Sequence, residues 1–360
     1  MESWGLQMGI IFIGCLLVLA ANALGAGKKN NDFMSRDMTS TINGYFLTTV
    51  FMTHFIQYLS ADSYNGLDWM YIYINRALGQ LIVAMFLFYS GYGVMESIKN
   101  KEGYIRTFPV KRILLLALDF EIAALIYLGV SCLTNNTPTF RYAIKAFFAW
   151  ESLGNSNWYV FAIMYLYIVT YLSFCLNHSR NIGISLILVV LFTVFYMYFM
   201  AQHKGGWWYD TVMCYPAGML FSWQLNKARA YFGRGWKYGI GLLVLVCSFC
   251  GVYVFRKENV WFFELLAVLF ALIVVMLTAR FKATGRLYGY IGKNLFCFYI
   301  YQRVPMILFK DILGKQNIYL YFFVCVLATA LIGMIMIKVY GWLHKKYMAF
   351  FQKYLPELIG

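Results

Sequence analysis

Charge is what this chain has least of. Only 12% of its 360 residues are Asp, Glu, Lys or Arg, about half the share of a soluble domain. No long polar segment exists in which a separate soluble domain would fold, so the chain reads as one integral membrane domain. Histidine is nearly as scarce, with four residues. His178, His203 and His344 stand apart without ligand spacing, so no metal site is expected. A glycine-rich nucleotide loop is missing, which removes ATP coupling. The eight cysteines lie in apolar stretches and outline no disulfide framework. Cys247 and Cys250 form a C-x-x-C, but in mid-helix and without basic neighbours, where packing explains them better than redox or metal chemistry.

Apolar and aromatic residues are what the chain has instead, at 62% and 20%. Repeated apolar runs of roughly 20 residues point to membrane-spanning helices. The expected fold is all-α, a polytopic bundle of about eleven transmembrane helices. They are expected at 7–26, 41–60, 77–98, 112–134, 157–176, 182–201, 211–226, 238–255, 259–279, 289–309 and 318–343. The first run has Glu2 where a signal peptide would be basic, and is expected to be a retained helix.

Lys and Arg number 30 against 15 Asp and Glu. In a soluble protein that excess would suggest nucleic acid. Here the basic residues cluster in alternate short loops, the pattern that orients membrane helices, so nucleic acid is not an expected partner. With an odd number of spans, the rich loops share one side. The N-terminus is then expected outside and the C-terminus in the cytoplasm. The basic rim would also attract anionic membrane lipids or a phosphate-bearing cofactor.

Ionisable groups within apolar spans are costly and therefore candidates for function. Glu96, near a helix end, can reach the interface. Asp119 and Glu121 are as readily paired with a neighbouring helix as used in chemistry. Glu264 follows "NVWFF" and is expected at the outer interface. His54, in "NGYFLTTVFMTHF", reads two ways: a buried imidazole bonded to a backbone carbonyl, or a general base for a hydroxyl nucleophile. The residues alone do not decide.

Several short motifs fall in a telling order. "NGYFLTTVFMTH" has Gly44 and His54; "MFLFYSGYGV" has Phe86, Ser90, Gly91 and Tyr92; "FPVKRILLL" has Lys111 and Arg112. "NSNWYVF" has Trp158 and Tyr159, and "YIGKNLFCFYIYQRVPM" has Gly292, Lys293, Asn294 and Tyr299. Together they resemble acyltransferase family 3, the ten-helix bacterial proteins that modify cell-surface sugars. The resemblance covers residues 37–343. It implies an extra N-terminal helix and linker over 1–36, and a cytoplasmic tail over 344–360. The chain departs from the family twice. Asn43 stands where a basic residue is expected eleven positions before the histidine, and Gln302, followed by Arg303, stands where a late histidine is expected.

The resemblance implies O-acyl transfer, of acetyl from acetyl-CoA to a hydroxyl of a polysaccharide or lipid-linked glycan, at a bacterial cytoplasmic membrane. His54 would be the base. Asn43, Ser90, Tyr92, Trp158, Tyr159, Tyr299, Gln302 and Arg303 would support substrate or oxyanion. Lys111 and Arg112 would meet the phosphates of coenzyme A. The two departures keep a rival of another class in view: a transporter or flippase in polysaccharide export, without catalysis. A sensor or scaffold in a surface-polymer complex is a third reading.

Overall fold

The computed structural model describes residues 32–59, 69, 72–75, 78–177, 181–233, 235–314 and 317–358. The helix expected at 7–26 lies outside them. Every regular element among the described residues is helical. In chain order they are α1 (Arg36–Ile56), α2 (Leu81–Asn100), α3 (Tyr104–Leu133), α4 (Phe140–Phe147), α5 (Asn157–Leu176), α6 (Ile182–Ala201) and α7 (Cys214–Trp223). There follow α8 (Leu225–Phe232), α9 (Gly235–Phe255), α10 (Val260–Thr278), α11 (Arg286–Lys293), α12 (Leu295–Tyr301), α13 (Arg303–Phe309) and α14 (Ile318–Tyr354).

Seven of these, α2, α3, α5, α6, α9, α10 and α14, are long and apolar enough to cross a membrane. Twenty residues of helix span about 30 Å, the thickness of the hydrocarbon core. None of the apolar window of α9 is buried within the protein, with Leu243 63% and Val254 71% exposed. Such a helix is stable only where lipid is its solvent. The chain is a multi-pass membrane protein.

Local chemistry explains where the helices depart from plain rods. The span expected at 289–309 is three short helices, broken at Asn294 and Gln302. Pro305 lacks the N–H that would bond the Tyr301 carbonyl, and its ring crowds that carbonyl. The Asn294 side chain donates to the Tyr290 carbonyl at 2.9 Å, competing with the helix's own ladder. Within α3, Pro109 opens a π-helical stretch, Pro109–Leu114, an extra-residue bulge that accommodates the missing donor. The span expected at 211–226 is α7 followed by α8, and α7 alone is about 15 Å long. α14 runs 37 residues without a break, about 55 Å, so the expected tail over 344–360 begins as helix.

The chain divides into two compact units. One comprises Met1–Val83 and Ile273–Ile335, the other Ala84–Leu272 and Met336–Gly360. In the first, α1 crosses α11 at a glycine pair. A Cβ at Gly44 would lie 2.1 Å from the Tyr288 carbonyl oxygen, and one at Gly292 would lie 1.7 Å from that of Ser40. Beyond this crossing Met52, Phe55, Met306, Tyr321, Phe322 and Cys325 form an apolar core. In the second unit α2 crosses α7 by the same device. A Cβ at Gly91 would lie 2.0 Å from the Tyr215 carbonyl oxygen, and one at Gly218 2.0 Å from that of Phe88. In membranes, where lipid competes equally for apolar surface, such close backbone approach is a main source of helix association.

Candidate functional site

Five of the candidate residues, Asn43, His54, Tyr299, Gln302 and Arg303, belong to the first unit. His54 lies in the last turn of α1. The residue is partly exposed, although its Nδ1 is buried. Its ring centroid is 6.3 Å from that of Tyr299, a residue 3% exposed on α12. The guanidinium of Arg303 is close enough to act electrostatically on the imidazole. Arg303 is held there by Gln57, whose Oε1 accepts from Nη2, and by Tyr58, whose ring centroid is 5.5 Å from the guanidinium carbon. Gln57 follows His54 by one turn, and its backbone N–H bonds the His54 carbonyl at 3.1 Å. Imidazole and guanidinium are thus fixed to the same end of α1.

The helix break is what makes this possible. With α12 and α13 interrupted at Gln302, Gln302 turns inward, 1% exposed, and its Nε2 donates to the Tyr299 carbonyl at 2.9 Å. Gln302 Oε1 and Arg303 Nε are buried, and neither has a hydrogen-bond partner among the described residues. Asn43 lies elsewhere. Eleven residues of continuous helix set it about 16 Å from His54 along α1, so the two cannot serve the same reacting atom. Arg303 therefore does not restore a charge at the Asn43 position; it places one beside the imidazole.

The remaining candidates belong to the second unit. Ser90 Oγ and Tyr167 OH share a hydrogen bond of 2.9 Å. Tyr92 is 8% exposed, with its ring 6.4 Å from that of Phe221. Tyr159 meets the edge of Phe86 at 6.1 Å and of Trp158 at 6.0 Å. Trp158 also packs against the buried cluster around Tyr196 and Trp208. Lys111 is exposed. Arg112 turns inward and donates through Nε to Tyr104 OH at 2.9 Å; Tyr167 and Tyr215 act on it electrostatically. Arg112 is thus ringed by phenol oxygens rather than carboxylates, which leaves its charge available to an anion.

Three other charged groups in this unit have protein partners. Glu96 accepts from Lys99, Asn100 and Ser222. Asp119 pairs with His344 at 2.6 Å, the helix-to-helix role its position allowed. Glu264 corrects the expectation of an interfacial residue. It is 3% exposed and its Oε2 accepts from the Met213 N–H at 3.1 Å, just before α7, where free N–H groups attract a carboxylate. Near it, in the turn between α6 and α7, Asp210 has a buried Oδ1 that, like Glu264 Oε1, has no partner among the described residues. Burial pushes its carboxyl up to about 8.

Sequence reading missed the groups that position the candidates: Gln57 and Tyr58 around Arg303, Tyr104 and Tyr167 around Arg112. Gln57 and Tyr58 carried a signal, as polar residues within one turn of His54. Among the described residues, no cluster of three or more His, Cys, Asp or Glu is arranged to hold a metal ion.

Comparison with curated proteins gives no match, and neither does comparison with solved structures. A family model described as "Acyltransferase domain" matches residues 44–338. That match runs from the glycine of the α1–α11 crossing into α14. It takes in both glycine crossings, His54, Arg112 and the broken helix that carries Arg303, so the chain belongs to acyltransferase family 3.

Proposed function

We propose that the protein moves acetyl from acetyl-CoA to a hydroxyl of a surface or exported polysaccharide, or of its lipid-linked precursor. The observation that carries this reading is His54: an imidazole in the last turn of a helix, on a partly exposed residue, with a guanidinium close enough to act on it. A sugar hydroxyl is a poor nucleophile at neutral pH. His54 takes its proton as the oxygen attacks the thioester carbonyl, and the C–S bond breaks as the tetrahedral intermediate collapses. The proton then passes to the leaving thiolate, giving an O-acetyl ester and free coenzyme A. Tyr299 stands beside the imidazole, where a hydroxyl donor stabilises the developing oxyanion. Lys111 and Arg112 are the proposed contacts for the coenzyme A phosphates.

The proposed location is a bacterial cytoplasmic membrane, with the N-terminus outside and the C-terminus cytoplasmic, supported by the alternation of basic loops. Asn43 and Gln302, in place of basic and imidazole side chains, favour a second reading, glycan transport without chemistry. Purified protein with labelled acetyl-CoA and an acidic or neutral glycan separates the two. Acetyl transfer is expected, with His54→Ala losing at least about a hundredfold. Glycan movement in vesicles that is indifferent to acetyl-CoA, with no ester formed, would establish transport instead.

A further inference from the structure

Gln302 and Arg303 are chain neighbours at the break between α12 and α13, and each has a buried polar atom without a partner among the described residues. The two are opposite in kind. Gln302 uses its amide N–H on the Tyr299 carbonyl, so its orphaned Oε1 requires a donor. Arg303 Nε is a donor on a permanent cation and requires an acceptor. Gln57 and Tyr58 engage part of the guanidinium, yet among the described residues Arg303 makes no ion pair. Arg303 as a whole is partly exposed, but its Nε and the Gln302 Oε1 are buried, and buried polar atoms without partners need a cause.

A transition-state oxyanion accounts for Arg303 but not for Gln302 Oε1. A neutral sugar accounts for Gln302, through one hydroxyl, but leaves the guanidinium unmatched. A ligand with a hydroxyl beside an oxyanion satisfies both. The guanidinium fork suits carboxylate and phosphate alike, because each offers two oxygens in its plane. We infer that the acceptor is an acidic sugar, bearing a carboxylate or phosphate close to the hydroxyl that is acylated, with Arg303 holding the anion and Gln302 an adjacent hydroxyl. This rests on the reading of His54 as the acceptor end of the protein. It makes Arg303 a determinant of substrate class.

Binding tests it independently of turnover. Full-length protein in detergent is titrated with oligogalacturonate, with its methyl ester, with a neutral galactan and with a hexose phosphate. Wild type is compared with Arg303→Gln and with Gln57→Ala, the latter at an exposed position where folding is safe. Wild type is expected to bind oligogalacturonate or the hexose phosphate at least tenfold more tightly than the ester or the galactan, and which anion wins identifies the group. Arg303→Gln is expected to erase that preference while affinity for the galactan stays; Gln57→Ala is expected to weaken it. Equal affinity of wild type for charged and neutral glycans overturns the inference, and so does an Arg303→Gln loss equal for both. If acidic glycan binds through Arg303 but no ester forms, the inference stands and the acyl-transfer reading falls. Ester formation on neutral glycans alone, unaffected at Arg303, has the opposite meaning.

Discussion

In the unit that holds α1 and α11, Gly44 lies under the Tyr288 carbonyl and Gly292 under that of Ser40; in the other, Gly91 lies under the Tyr215 carbonyl and Gly218 under that of Phe88. The packing device is the same and its surroundings differ. Beside Gly91, Ser90 bonds Tyr167 and Tyr215 bonds Thr170 at 3.0 Å, while among the described residues the buried Tyr89 hydroxyl has no partner. On the far side of the first unit's crossing, Gln302 and Arg303 keep unsatisfied atoms. Satisfied polar groups at a helix crossing fix one packing arrangement; what sets Gln302 and Arg303 apart is that an unsatisfied acceptor and an unsatisfied cationic donor are chain neighbours. Three of the glycines in the family-like motifs, Gly44, Gly91 and Gly292, are thus there for packing, and the proposed chemistry is assigned to His54 and Arg303 in the first unit.

The largest expected effect tests the packing half of that comparison. Gly44→Ala or Gly91→Ala puts a methyl group about 2 Å from a backbone oxygen, which cannot rotate away. The helices must part, at a cost of several kcal/mol, and the yield of monodisperse protein in detergent should collapse. Gly93→Ala, two residues along α2 with nothing within 4 Å of a new Cβ, should be neutral or gain up to about 1 kcal/mol from helix propensity. Equal behaviour of Gly91→Ala and Gly93→Ala in size exclusion and thermal melts would remove the crossing from the account.

Much of the fold was legible because hydropathy answers one question well: how long a segment stays apolar. The runs 157–176 and 182–201 end where α5 and α6 end, because each is bounded by polar turns. The same signal is blind to where backbone hydrogen bonds go. It therefore read 289–309 as one rod, although Pro305 was present to break it. His54 stood out as an ionisable group in an apolar run. Its setting did not, because Gln57 and Arg303 are 246 residues apart in sequence. Glu264 was misjudged for the same reason: the Met213 N–H that holds it lies 51 residues away.

A middle-sized effect sharpens the contrast from the second unit, which has one unsatisfied acid outside its spans. Folded Asp210 holds its proton up to about pH 8, whereas in an unfolded chain it is released near pH 4. Between those values the folded state binds more protons, so stability falls as pH rises across the window and levels off above it. Wild type should lose melting temperature between pH 5 and pH 8.5 relative to Asp210→Asn, by an amount corresponding to a few kcal/mol. Parallel curves would mean that Asp210 is ionised throughout.

The smallest expected effect asks whether Ser90 belongs to architecture or to chemistry. Ser90→Ala deletes one hydrogen bond, to Tyr167 OH, and leaves a partly buried phenol to find water or another partner. The expected cost is about 1 kcal/mol of stability, with acetyl transfer within about threefold of wild type. An oxyanion donor behaves in the reverse way: its loss leaves the fold intact and slows turnover by roughly 10²–10³. Measuring melting temperature and kcat on the same preparation separates the two. A hundredfold slower enzyme that melts normally would move Ser90 out of the architecture and into the reacting centre.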